Sequence, residues 1–138
     1  SLLSAGDTTT LSHLQKLVLN YFTGVDEEDI DLILSTLHEN CSFSVETHEV
    51  SLKGHVEITG MFKLLWSKHV FVLHDNFHFV EDENGEDIAV RFQVTNKLFD
   101  ETLVHKSNCN FFTSRGGKFN SFRVYMSGEN TLNKKTSQ

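Results

Sequence analysis

A cone-shaped α+β domain, with three helices in the N-terminal half packed on a curved antiparallel sheet that encloses a pocket, is the fold class this sequence predicts. Three observations carry it. Apolar residues recur at helical spacing from Leu14 to Phe22 and again from Ile30 to Leu37. A further apolar stripe follows Gly54. From Val70 onward the chain alternates in long runs broken by short turn signals, the mark of an antiparallel meander.

The elements follow in order. Ser12 and Gln15 have the spacing of a capping box, so the first helix is expected to begin there, with Leu14, Leu17, Val18, Tyr21 and Phe22 on its buried face. Gly24 is expected to end it as the residue after the cap. Asp26 is then the expected N-cap of a second helix, and Asp26 to Asp29 a solvated acidic start at its positive end, the alternative being a metal or basic-partner site. Ile30, Ile33, Leu34 and Leu37 form that helix's buried stripe. Cys41 to Glu46 alternates as a strand with Cys41, Phe43 and Val45 inward. Gly54 precedes a third helix whose stripe would be Val56, Met61, Leu64 and Leu65, with Trp66 near its end.

Four strand runs follow: 70–81, 87–99, 102–113 and 119–126. Asn84-Gly85 is the strongest hairpin signal among them. In the second run Ile88, Val90, Phe92 and Val94 oppose Ala89, Arg91, Gln93 and Thr95. The chain has no proline, so its turns must rely on Gly, Asn and Asp.

Bulk properties narrow the function classes. A chain of 138 residues is one domain by length, here 11–128, with flexible tails expected at 1–10 and 129–138. Ser1-Leu2 reads as a cloning remnant. A net charge of -7 argues against nucleic acid, whose phosphates need clustered Lys and Arg. No run approaches a membrane span, and residues 1–10 lack the pattern of a signal peptide. Cys41 and Cys109 are too few for a disulfide scaffold and read as free thiols of a cytoplasmic protein. The eight histidines make the charge sensitive to mild acid. No bound metal is expected. His74 and His78 lie four apart on a strand, so even sharing a face they would be about 13 Å apart. No paired histidines fall at ligand spacing on a helix.

The order of two helices, a strand, a third helix and a long meander resembles the NTF2-like superfamily, and within it the SnoaL-like and ketosteroid-isomerase-like proteins. The resemblance covers roughly residues 11–128. It rests on Asn20 to Asp29 at the helix break, the strand 40–46, Gly54, His74 early in the meander, and Arg115 to Lys118 before the last strand. It implies that Tyr21 occupies the position of an oxyanion hydrogen-bond donor. The base position falls on Val45 and the second donor position on Cys109. Val45 cannot take a proton and Cys109 is a weak donor. Glu46 would face the other way unless a bulge intervenes. Steroid isomerase chemistry is therefore disfavoured.

The same alignment implies a largely apolar pocket lined by Tyr21, Val45, Met61, Phe62, Trp66, Val72, His74, Val90, Phe92, Cys109, Val124 and Met126. His74 is the candidate general acid or base, the alternative being a histidine satisfied by backbone. Tyr21 is the candidate donor, the alternative being a core tyrosine. The expected function is binding, and cofactor-free proton transfer on, a small apolar carbonyl or polycyclic compound, in an isomerase, dehydratase or cyclase reaction. The alternative is a non-catalytic binding or homo-oligomerisation module. A homodimer would form through the outer sheet face, where Arg91, Gln93, Thr95, Arg123 and Tyr125 point.

Overall fold

The structure, a computed structural model, describes residues 10–128; the expected tails beyond them lie outside the described residues. Helix α1 (His13–Glu27) starts where the capping box places it. Ser12 Oγ accepts from Gln15 N at 3.1 Å and Gln15 Oε1 accepts from Ser12 N at 3.2 Å. Ser12 Oγ also donates to Glu81 Oε1 at 2.6 Å, tying the helix start to the sheet.

The helix does not end at Gly24. It runs on to Glu27 and is capped by Glu28 in the left-handed region. Gly24 instead serves close packing. A Cβ there would lie 2.6 Å from Ile33 Cγ1, on helix α2 (Ile30–Ser35). The N-cap of α2 is Asp29, which accepts from Leu32 N, and not Asp26. Leu37 leaves the helix to open strand β1 (Leu37–Val45), because Thr36 closes α2 and hands Leu37 to the sheet.

Strand β2 (Val50–Lys53) follows, then α3 (Gly54–Ser67), β3 (His69–Glu81), β4 (Asp87–Leu98), β5 (Leu103–Arg115) and β6 (Lys118–Tyr125). The core stripe of α3 is Ile58, Met61, Phe62 and Leu65, while Val56 and Leu64 are exposed. The six strands make one curved, open sheet in the order β2-β1-β6-β5-β4-β3. All pairings are antiparallel except β1 with β6, which is parallel.

Two of the sheet's register shifts decide which aromatic side chains face inward. In β3 the register shifts between Asp75 and His78, with Asn76 at φ 56°. Asn tolerates that left-handed conformation better than most residues. Before the shift Val72 and His74 face the core; after it Phe77 and Phe79 do. In β6 the shift at Asn120 lets both Phe119 and Phe122 point inward. Helices α1 and α3 cover this inner face, and the core between them is an aromatic cluster. Tyr21 meets Phe22, Phe62, Phe112 and Phe122 edge-on at 4.9–6.0 Å. Such edge contacts contribute about 0.5–1.5 kcal/mol each beyond area burial.

Candidate functional site

A small cavity of about 50 Å³ lies between α1, α3 and the inner face of the sheet. Of the residues expected to line it, Tyr21, Phe62, Val72, His74, Phe92, Val124 and Met126 do so. Tyr21 and His74 thus lie on one side of the sheet, with the ring of Phe22 against both, at 4.9 Å and 4.7 Å. Val45, Met61 and Val90 are buried in the surrounding core and do not line the cavity. Trp66 is turned away: its Nε1 donates to Val25 O at 2.9 Å, a second and shorter bond to a carbonyl that the Glu28 cap N–H meets at 3.4 Å.

Cys109 must be corrected. The inner face of β5 carries Lys106, Asn108, Asn110, Phe112 and Ser114, so Cys109 points to the outer face, opposite Arg91 and Tyr125. The strand period is two, so an alignment off by one residue reverses every side chain. Burial pushes the Cys109 thiol up while Arg91 draws it partly back. His78 is likewise on the outer face, opposite Arg91, because the β3 bulge separates it from His74. Glu46 also faces outward, 3.7 Å from Arg123 Nε, and accepts from Ser44 Oγ.

His74 is held from one side by a residue read from sequence as a helix cap. Asp26 Oδ1 accepts from His74 Nδ1 at 2.5 Å, and Asp26 Oδ2 accepts from His74 N at 2.9 Å. Both side chains are mostly buried, 10% and 17% exposed. An ionised carboxylate only accepts, so the Nδ1 proton is fixed toward it and the neutral ring presents Nε2 as its lone pair. Nε2, the other ring nitrogen, takes no part in the two bonds to Asp26. The rings of Phe22 and Phe92 flank the imidazole at 4.7 Å and 5.4 Å.

Sequence reasoning missed Asp26 because the acidic run satisfies a helix-start pattern in full. It also missed Asn96, Asn108 and Asn110, which give the cavity a polar wall. The alternation of β5 held the signal for the last two, since Asn108 and Asn110 share parity with Phe112. Burial, and then nearby Cys41, raise the Tyr21 phenol well above its ordinary value. It therefore stays protonated and can only donate or accept as a neutral hydroxyl.

No family model matches this sequence, and no curated protein does so either. Solved structures do match. An NTF2-like protein from Anabaena variabilis is similar at 16% identity, covering 96% of this chain and 98% of that one, with a TM-score of 0.73. SalBIII, an epoxide hydrolase/cyclase-like enzyme of pyran ring formation in the polyether salinomycin, is similar at 22% identity over 82% and 89%, with a TM-score of 0.72. TerC, co-crystallised with polyporic acid, is similar at 18% identity over 84% and 92%, with a TM-score of 0.75. Helix order, strand order and these likenesses agree that the chain has the NTF2-like fold.

Proposed function

We propose that this chain binds a small carbonyl compound in the inner cavity and moves a proton on it without a cofactor. The observation that carries the reading is the double hold of Asp26 on His74, which fixes both the position and the tautomer of the ring. In the step we derive, His74 Nε2 takes a proton from the carbon beside the carbonyl. The C–H pair forms a carbon–carbon double bond as the carbonyl π pair moves onto the oxygen, which the Tyr21 hydroxyl steadies, and the imidazolium is balanced by Asp26. Returning the proton to another carbon or to oxygen completes an isomerisation, and returning it to a β-hydroxyl, which leaves as water as the oxyanion pair reforms the carbonyl, completes a dehydration.

Size favours a small compound. The cavity of about 50 Å³ is well below the roughly 300–1,000 Å³ of sites for drug-sized ligands, so a polycyclic compound would need Phe62 or Met126 to swing away. SalBIII, an epoxide hydrolase/cyclase-like enzyme, and TerC, co-crystallised with polyporic acid, lend the reading a precedent at the level of the fold.

The test is His74→Gln, which keeps the size and polarity of the side chain. It should leave the melting temperature within a few degrees while lowering proton exchange on a bound small ketone about 10²–10⁴-fold. Unchanged exchange would favour the non-catalytic module instead.

A second reading concerns assembly. The outer sheet face carries a broad cleft of about 820 Å³ with Val80, Phe111 and Tyr125 on its walls. All three are exposed, and the two aromatic rings lie 6.2 Å apart. That surface favours a homodimer formed face to face through the sheet.

A further inference from the structure

Asn96 lies within β4, is 2% exposed and lines the inner cavity, yet its Oδ1 has no hydrogen-bond partner. An unpaired buried amide oxygen is destabilising by about 1–3 kcal/mol. Its neighbours across the ladder are Val72 on β3 and Val104 on β5, neither of which offers a side-chain donor. Packing alone would therefore be better met by Leu or Val at this position.

The register shows what lies beside the orphaned oxygen. Val94, two residues earlier on the same face, pairs with His74 on β3 and with Lys106 on β5. His74 is thus the diagonal neighbour of Asn96, about 7–8 Å away by sheet geometry. With the Asn96 amide turned so that its oxygen faces the cavity, a ligand lying over Val94 would meet the imidazole on one side and the amide oxygen at one end.

A simple ketone brings only an acceptor. It can engage the Tyr21 hydroxyl but leaves Asn96 Oδ1 as it is. The ligand must therefore also carry a donor. A hydroxyl is the smallest group that supplies a donor without bringing a charge to a largely apolar wall. A cavity of about 50 Å³ restricts the ligand to a few non-hydrogen atoms.

Building on the proton-transfer reading above, we propose that the ligand is a small hydroxycarbonyl compound. The hydroxyl on the carbon next to its carbonyl donates to Asn96 Oδ1, which places the C–H bond of that carbon before His74.

The test compares hydroxyacetone with butan-2-one, which has a methyl group where the former has its hydroxyl. NMR titration of the wild type should show hydroxyacetone bound about tenfold or more tightly than butan-2-one. Asn96→Leu should bring that ratio to about one while raising the melting temperature by about 2–6 °C, because the unpaired amide is gone. Asn96→Ala should lose the ratio as well, without the risk of overfilling the site. His74→Gln should keep the ratio and lose exchange of the α-protons in D₂O.

Equal binding of the two ketones by the wild type, or binding of neither, overturns the proposal. So does a ratio that survives both Asn96 variants. Exchange that depends on His74 without any hydroxyl preference would remove the recognition and leave the proton transfer standing.

Discussion

Asp26 hydrogen-bonds two N–H groups of a single residue, the His74 backbone and ring, from the far end of α1. Charge-assisted bonds of this kind are worth about 1.5–3 kcal/mol each. Asp26→Asn keeps one acceptor oxygen and puts a donor where the second was, so one of the two bonds must go. The expected result is a loss of about 1–3 kcal/mol in denaturant unfolding, together with loss of the far-downfield imidazole N–H proton resonance. A variant as stable as the wild type with that resonance intact would show that the ring is held by other means. Cys41, fully buried beside Tyr21, gives a second expectation. Burial pushes its thiol up from 9.0 to about 12. The unfolded chain loses this proton near its ordinary value and the folded chain holds it longer. Stability is therefore complete below about pH 9 and falls as pH rises from there toward 12. Cys41→Ala should be less stable at neutral pH but decline less steeply above pH 9 in thermal melts, and parallel curves would refute it. The place of His74 and Tyr21 in the cavity wall was legible through the resemblance to NTF2-like proteins. Asp26 was not, because its partner lies 48 residues away.

At the scale of elements, the approach of α1 to α2 depends on a missing side chain. A Cβ on Gly24 would meet Ile33 Cγ1 at 2.6 Å and the Ile33 backbone nitrogen at 3.0 Å. The isoleucine can rotate, but the backbone can give way only if α2 moves. Gly24→Ala gains up to about 1 kcal/mol of helix propensity and should still be destabilising by about 1–3 kcal/mol overall, from overpacking. Equilibrium urea unfolding checks the sign, and a stabilised variant would show that the helix pair is free to part. The start of α1 was legible because Ser12 and Gln15 form a local motif. Its end was not, since a glycine signals a helix stop or a close contact with the same letter. The bulges at Asn76 and Asn120 reverse face parity within β3 and β6. They were hidden for a related reason: a strand's alternation shows its period but not a one-residue slip.

At the scale of the molecule, the meander was legible from its turns, while the parallel pairing of β1 with β6 was not. That pairing joins Val45 to Val124 across most of the chain and has no local signature. It matters because it places β1 inside the sheet, leaving β2 and β3 as the edges. Edge strands invite pairing with other chains, but the outer face also exposes apolar side chains, around Phe111 and Tyr125. Burial of two such aromatics at the centre of an interface can dominate its energy. A dimer built this way covers the outer face and leaves the His74 cavity, on the opposite face, unobstructed. Phe111→Glu would replace that ring with a charged side chain, cross-strand from Arg123, at the centre of the interface in both copies at once. It should raise the dimer dissociation constant at least about a hundredfold in sedimentation velocity runs across concentrations. Because Phe111 is exposed in the single chain, the far-ultraviolet dichroism and α-proton exchange should stay as in the wild type. A wild type that sediments as a monomer at every concentration removes the dimer, and a Phe111→Glu protein that remains dimeric moves the interface elsewhere.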